Sequence, residues 1–181
     1  GIAGLSYALQ VAKHGTVTIV TKKNKAESNT NYAQGGIAAV TSALDSPGSP
    51  DSVDKHVQDT LNVGYGLCHE DTVRLVASQG SEAVRRLASW GVQFSKDSQS
   101  STGGFDLTRE GGHSARRIIH SADATGRAVS STLIDQALQQ KNIEVFENHL
   151  AVDLIVEADS ASEKMRCTGA YIFDRENDCV K

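Results

Sequence analysis

Disulfide-forming, membrane-spanning and metal-binding patterns are all missing from this sequence. Its three cysteines, Cys68, Cys167 and Cys179, form no C-x-x-C motif and no metal-ligand spacing. Such an odd and scattered set argues against a disulfide framework. No run of about 18 apolar residues occurs, so the sequence predicts no transmembrane helix. We therefore expect neither a metal site nor a membrane span.

Basic residues are not in excess either. The 18 lysines and arginines are outnumbered by 22 acidic residues, for a net charge of -4 at pH 7. A nucleic-acid-binding protein usually shows a basic face, and the single dense basic run, K-K-N-K at residues 22–25, is typical of a solvated loop. We expect no nucleic-acid partner. The 181 residues, 39% of them hydrophobic, instead suffice for a globular core of ordinary size.

A starting methionine and a first β-strand are also missing. The chain opens on the glycine turn G-I-A-G, and an apolar helical spacing from Leu5 ends at Gly15, which suits the left-handed position after a helix. The β-branched run at residues 16–21 predicts a strand. A dinucleotide-binding fold places one strand before such a turn. We therefore expect a partial Rossmann-like α/β domain from an incomplete sequence, in which Gly1 and Gly4 are the second and third glycines of the motif.

Hydrophobic spacing predicts further helices and strands along the chain. An apolar residue at every fourth position over 53–61 predicts a helix that ends at Gly64 and is capped by Asp51 or Ser52. A second predicted helix ends near Gly80, and a third begins at the next residue. The other predictions are surface loops at 41–50 and 95–106, a helix after residue 127 with Val129, Leu133, Ala137 and Leu138 on one face, strands at 143–146 and 150–156, and a hairpin partner at 167–173.

Two glycine-bearing segments combine residue types that suit ligand binding. The turn at residues 1–4 would let the backbone approach a pyrophosphate, although an ordinary αβ turn explains it equally well. Residues 29–36 place a Gly-Gly pair after polar side chains and could present backbone N–H groups to a ligand, but a structural turn is the alternative. Lys22 stands where a nicotinamide-dinucleotide site usually has an acidic residue, which counts against such a site.

A third segment, residues 108–127, concentrates charged side chains and glycines. Arginine matches carboxylates through paired donors, and a glutamate can pair with an ammonium group. This mixture could therefore bind a small dicarboxylate or an amino acid, whereas a solvated helix surface is the alternative. The candidates are Arg109, Glu110, His113, Arg116, Arg117, His120 and Asp123.

Four strings in this order resemble one flavoprotein family. They are G-I-A-G-L from residue 1, N-T-N-Y-A-Q-G-G-I-A-A from residue 29, L-T-R-E-G-G-H-S from residue 107 and A-D-A-T-G-R from residue 122. The family is that of the FAD-dependent oxidoreductases that include L-aspartate oxidase and the flavoproteins of succinate dehydrogenase and fumarate reductase. The resemblance implies that residues 1–181 are a partial FAD-binding domain of the fumarate reductase and succinate dehydrogenase flavoprotein type. The domain would be truncated at both ends, without the capping and C-terminal helical domains.

The resemblance also implies a set of cofactor-binding residues. Asn29 stands where the dehydrogenase and reductase subunits carry a histidine bonded to FAD, and an amide cannot form that bond. FAD should therefore be held non-covalently. The implied cofactor-binding residues are Gly1, Ile2, Ala3, Gly4, Lys22, Asn29, Thr30, Asn31, Tyr32, Ala33, Gln34, Gly35 and Gly36.

The T-R-E-G-G-H-S string is similar to the aspartate-oxidising form of the family. In that form the residue corresponding to Glu110 orients the substrate amino group, and the main catalytic arginine lies beyond residue 181. The implied reaction converts L-aspartate to iminoaspartate with reduction of FAD, and O2 or fumarate accepts the electrons. This is the first step of NAD biosynthesis, before quinolinate synthase. Residues 1–181 by themselves should show no aspartate-dependent peroxide release.

Two other readings stay open. One is a fumarate reductase or succinate dehydrogenase flavoprotein, which has the same fold and a different substrate. The other is a truncated FAD-binding product without catalysis. The resemblance implies a plastid location for a plant or algal protein and a cytoplasmic one otherwise.

Overall fold

The structure is a computed structural model that describes residues 1–41, 51–98, 104–122, 124–158 and 164–181. Most of the predicted loop at 41–50, the centre of that at 95–106 and the candidate Asp123 lie outside the described residues. The chain forms two compact units, one of residues 1–29 and 133–181 and one of residues 30–132.

Helices and strands follow one another along both units. The helices are α1 (Ile2–Val11), α2 (Asn29–Tyr32), α3 (Val53–Val63), α4 (Glu70–Ser89) and α5 (Thr125–Gln139), and a short 3-10 helix (Ala12–His14) follows α1. The strands are β1 (Val17–Val20), β2 (Ile37–Ala38), β3 (Leu107–Thr108), β4 (Ile118–Ile119), β5 (Ile143–Phe146), β6 (His149–Ala158), β7 (Met165–Asp174) and β8 (Cys179–Val180). The α/β prediction is confirmed. No helix in the described ranges is both long and apolar enough to cross a bilayer.

The first unit contains the predicted turn, helix and strand. Strand β1 pairs in parallel with β5, with Val17 opposite Ile143. The prediction of a left-handed Gly15 is wrong, because its φ of 171° is extended backbone. The Asn142 side chain donates to the carbonyl oxygens of Ala12 and Gly15 at this helix end. Those carbonyls have no helical partner, so the amide replaces the glycine cap that the sequence predicted.

The predicted hairpin forms the other part of the first unit. Strands β6, β7 and β8 make an antiparallel sheet, with Leu150 opposite Phe173. Four apolar residues of β6 remain exposed, from 42% at Leu150 to 58% at Leu154, whereas Ile155 is half-buried. At the end of β7, Asp174 is buried and accepts a hydrogen bond from the Lys181 ammonium at 2.7 Å.

The second unit contains α3 and α4. Ser52 is the cap of α3, since its side chain accepts from the Lys55 amide at 3.2 Å. The prediction of two helices that meet at Gly80 is wrong, because α4 is continuous through that residue. A Cβ atom at Gly80 would lie 3.3 Å from the Ala39 Cβ. The glycine therefore serves close packing within this unit and does not end the helix.

A three-stranded sheet in the second unit brings two predicted ligand segments to one strand. Strand β4 pairs antiparallel with β2 on one side and with β3 on the other, so that Ile119 lies opposite both Ile37 and Leu107. The segment at 30–36 ends where β2 begins, and the charged segment follows β3.

Helix α5 forms as predicted, with Val129 and Leu133 buried, but Leu138 is 53% exposed.

Candidate functional site

The glycine turn lies at the N-terminus of α1 in the first unit. Gly1 and Gly4 border a cavity of about 160 Å³ together with Thr21 and Lys25, which follow β1. A Cβ atom placed at Gly4 would meet nothing within 4 Å, so a ligand has room to reach this backbone. Ala3 is exposed and Ile2 is half-buried. The helix N-terminus carries partial positive charge, and this turn is therefore suited to an anionic group.

The loop after β1 is fixed by contacts inside the first unit. The Lys22 carbonyl accepts from the Arg175 guanidinium at 2.9 Å, while the Lys22 side chain remains exposed. The Lys25 amide donates to Glu147 at 2.5 Å, and the Lys25 ammonium lies 3.3 Å from the same carboxylate. The hydrogen bond from the Lys25 amide lowers the pKa of Glu147, against a smaller opposing effect of burial. Lys22 therefore extends from a loop whose backbone is held in place.

The two glycines at the end of the second glycine-bearing segment differ in their surroundings. A Cβ atom at Gly36 would overlap the Ile118 side chain and lie 2.5 Å from the Ile119 carbonyl oxygen, so Gly36 is required where β2 meets β4. Gly35 has nothing within 4 Å of that position. Strand packing thus requires glycine at position 36, whereas the space beside Gly35 is open.

The other predicted residues of this segment lie in or beside α2. Its first residue, Asn29, belongs to the first unit and is exposed, whereas residues 30–36 belong to the second. Thr30 and Asn31 are half-buried, and Tyr32, Ala33 and Gln34 are exposed.

Sequence reasoning did not single out Gly126, which supports the second segment. Its amide donates to the Ala33 carbonyl at 3.1 Å. A Cβ atom at Gly126 would overlap the Thr30 carbonyl oxygen and lie 2.6 Å from that of Ala33. Only glycine fits this start of α5. The A-D-A-T-G-R string was the available signal, but nothing in it identified which contact needed a glycine.

Glu110 lies on an exposed turn between β3 and β4. The His113 amide donates to the Glu110 carbonyl at 3.3 Å, and Gly112 has a φ of 81°, a conformation that favours glycine. The Arg116 side chain donates to the Leu107 carbonyl at 2.8 Å. Arg109 and Arg116 border a cavity of about 870 Å³, whose other charged residues are Asp51, Lys55, Asp97 and Asp106.

Arg117, one of the carboxylate-binding candidates, is an internal residue. Its side chain is fully buried, and two of its nitrogens donate to Asp51 at 2.9 and 2.6 Å. A third donates to Asp59 at 2.6 Å. The hydrogen bonds that Arg117 donates to Asp51 raise the pKa of Arg117, against an opposing effect of burial. The guanidinium is therefore an internal link between α3 and β4. The His120 Nε2 lies 3.4 Å from the Asp106 carboxylate.

Asp59 was missed by sequence reasoning. One of its carboxylate oxygens accepts a hydrogen bond from the Arg117 guanidinium. The same oxygen accepts from the amide and from the hydroxyl of Ser114, at 2.8 Å in both cases. Burial raises the pKa of Asp59, but these hydrogen bonds outweigh it and hold the pKa at about 2. Asp59 and Ser114 are 55 residues apart, so no local spacing could have indicated the contact.

The parallel β1–β5 pair and the open glycine turn define a dinucleotide-binding α/β protein. The family described as FAD binding domain matches residues 1–180, and the chain belongs to this family. Its cofactor is FAD. The residues present fit such a group, because the backbone at Gly4 is open at the N-terminus of α1. The sequence prediction of the family and of its cofactor is confirmed.

Curated relatives are identical to this chain at nearly half of the aligned positions. L-aspartate oxidase 2-b, chloroplastic, of Nicotiana tabacum is 48% identical over 161 residues, which are 89% of this chain and 24% of the relative. L-aspartate oxidase 1 of Ralstonia nicotianae is 46% identical over 181 residues, which are 100% of this chain and 33% of the relative. The chain thus spans a quarter to a third of the relatives it matches.

Solved structures of the predicted fold type are also similar. A mutant of E. coli quinol fumarate reductase FrdA has a TM-score of 0.78 at 28% identity. The match covers 96% of this chain and 28% of the FrdA chain. Mycobacterium smegmatis Sdh1 has a TM-score of 0.79 at 26% identity, and the match covers 97% of this chain and 30% of the Sdh1 chain. The fold is therefore that of the FAD-binding domain in fumarate reductase and succinate dehydrogenase flavoproteins.

Proposed function

We propose that this chain is part of an L-aspartate oxidase, which converts L-aspartate to iminoaspartate. The observation that carries the proposal is the difference in identity between the two groups of relatives. L-aspartate oxidases are 41 to 48% identical to this chain, whereas the fumarate reductase and succinate dehydrogenase structures above are 26 to 28% identical. FAD supplies the acceptor for the hydride from the substrate α-carbon.

The chain's own residues bind the cofactor in this proposal. The turn Gly1, Ile2, Ala3 and Gly4 takes the pyrophosphate at the N-terminus of α1, and Lys22 reaches FAD from the loop after β1. Residues Asn29, Thr30, Asn31, Tyr32, Ala33, Gln34, Gly35 and Gly36 line the flavin. The open positions at Gly4 and Gly35 support these roles. FAD is non-covalent, because the Asn29 amide offers no nucleophile for a bond to the flavin.

Glu110 binds the substrate in this proposal. Glu110 is exposed on a turn directly after Arg109, and a carboxylate is a natural partner for an α-ammonium group. Succinate and fumarate offer no cation there. Capping and C-terminal helical domains beyond residue 181 carry the main catalytic arginine and complete the substrate pocket.

The wider setting follows from the same proposal. O2, giving hydrogen peroxide, or fumarate accepts the electrons, and the product is passed to quinolinate synthase in NAD biosynthesis. The plant relatives are named as chloroplastic. We propose a plastid location if the source is a plant or alga, and a cytoplasmic one otherwise.

The test is Glu110→Gln in the full-length protein, with aspartate oxidation and fumarate reduction measured side by side. A hydrogen bond to a charged group contributes about 1.5–3 kcal/mol, so we expect kcat/KM for aspartate to fall by about tenfold to a hundredfold. Fumarate reduction should change by about twofold or less. The matched control is Glu144→Gln, an exposed glutamate on β5, which should alter neither activity. An equal loss of both activities would contradict an ammonium-binding role.

The second candidate is a fumarate reductase or succinate dehydrogenase flavoprotein, which the TM-scores of 0.78 and 0.79 favour. The same assay separates the two. A full-length wild type that reduces fumarate but releases no peroxide with aspartate would support this second candidate.

A further inference from the structure

The turn that carries Glu110 has little rigidity of its own. Gly111 and Gly112 follow Glu110 directly, and glycine restricts the backbone less than any other residue. A Cβ atom at Gly111 would meet nothing within 4 Å. The position of Glu110 therefore depends on how the two ends of the turn are held.

Both ends of the turn are anchored inside the second unit. Strand β3 holds the end before Glu110, since Thr108 pairs with Ile118 of β4. The end after the glycines is held at Ser114, whose amide and hydroxyl both donate to Asp59 at 2.8 Å. In the described part of the chain, Asp59 is thus the acidic side chain that ties this end of the turn to α3.

Asp59 is itself prevented from rotating away. The same carboxylate oxygen accepts from Arg117 at 2.6 Å, and the other edge of that guanidinium is bound by Asp51. Helix α3 is fixed by the buried Val57 and by its Ser52 cap. The carboxylate also stays ionised at neutral pH, because the pKa of Asp59 is about 2.

We propose that Asp59 is a positioning residue for substrate binding: through Ser114 it fixes the turn that presents Glu110, and Arg117 fixes Asp59. The inference rests on the proposed aspartate oxidation and deepens it. Asp59 does not touch the substrate. Its loss leaves the Glu110 carboxylate present but poorly placed, which weakens aspartate binding and spares FAD binding.

The experiment uses Asp59→Ala in the full-length flavoprotein. Arg117 keeps both hydrogen bonds to Asp51 in this variant, so the buried cation remains paired. We expect KM for aspartate to rise about tenfold, because the variant loses the equivalent of roughly one hydrogen bond to a charged group. Flavin content and KM for fumarate should stay within about twofold. Ser114→Ala, which retains the backbone donor, should show a smaller shift in the same direction and replaces Asp59→Ala if that variant does not fold.

The matched control is Asp54→Ala on the same helix. Asp54 is bound by Arg74 at 2.6 Å, but its side chain is 82% exposed. The Asp54→Ala variant should leave KM for aspartate unchanged. A rise in KM for fumarate equal to that for aspartate, or an equal effect of Asp54→Ala, would overturn the proposal.

A double variant distinguishes positioning from general destabilisation. If Asp59 acts through Glu110, adding Asp59→Ala to Glu110→Gln should cause no further rise in KM for aspartate, because interacting residues are non-additive. Independent, additive effects would overturn the proposal.

Hydrogen exchange separates this inference from the proposed function. The Ser114 amide should exchange faster in Asp59→Ala than in the wild type or Asp54→Ala, whatever the substrate. Faster exchange in a full-length protein that does not oxidise aspartate would support the anchor, but would overturn both its role in aspartate binding and the proposed function. Unchanged exchange would overturn the anchor itself.

Discussion

Among single residues, His56 of the second unit has a pKa that is shifted by its burial and by the charges around it. Its side chain lies on α3, and its ring is 5.8 Å from that of His113. Burial is the main cause that lowers the pKa of His56, and the positive charges of Arg117 and His113 act in the same direction. Asp51 and Asp59 oppose this shift only in part. The neutral imidazole is therefore the form that suits the folded state.

This shift predicts a loss of stability in mild acid. The unfolded chain binds a proton on His56 near its ordinary pKa of 6.5, whereas the folded chain binds it only at lower pH. The free energy of unfolding should therefore be fully retained above pH 6.5 and fall as the pH drops from there towards the lowered pKa. Denaturant unfolding of the full-length protein across this range measures the slope.

The variant for this measurement is His56→Gln, which should flatten the slope below pH 6.5. The control is His69→Gln, the same change at an exposed histidine, which should keep the wild-type slope. If His56→Gln and wild type show the same slope, another group causes the acid sensitivity.

At the scale of the elements, the start of α5 and the segment at 30–33 depend on each other. The Gly126 amide donates to Ala33, and neither the Thr30 nor the Ala33 carbonyl leaves room for a side chain. A methyl group here must displace backbone, because no flexible side-chain end can move aside. A change at Gly126 therefore shifts a segment that we propose lines the flavin, although Gly126 is not among the proposed flavin-binding residues.

We expect Gly126→Ala to lower flavin occupancy of the full-length protein strongly, measured as flavin absorbance per protein after purification. Gly15→Ala is the control, since a Cβ atom there meets nothing within 4 Å and its backbone is extended. Full flavin occupancy in Gly126→Ala would show that residues 30–33 can move without loss of FAD.

On the scale of the whole molecule, the absence of a covalent bond between protein and flavin distinguishes the oxidase proposal from its main alternative. Asn29 is exposed at the start of α2, and an amide cannot form the covalent link. Acid precipitation of the full-length protein should therefore release FAD into the supernatant. The variant Asn29→His tests whether a side chain at this position can form the covalent link. Retention of flavin in the wild-type pellet would contradict the non-covalent assignment.

Local patterns were sufficient where neighbouring residues decide the structure. The helical spacing after the glycine turn, the β-branched run that became β1 and the alternation that became β6 each depend on contacts within a few positions. Gly80 and Gly15 were misread because their surroundings come from elsewhere. Gly80 lies against Ala39, and the Asn142 side chain satisfies the helix end before Gly15.

The sequence by itself determined the family, the cofactor class and the segments that bear glycines and charges. The tertiary structure decided which members of those segments are open and which are internal. It placed Arg117 in the core and left Glu110 exposed, although the two are seven positions apart in one charged run. It also linked Ser114 to Asp59, 55 residues away. The physical reason is that burial and hydrogen-bond partners are properties of distant segments brought together, which a local pattern does not contain.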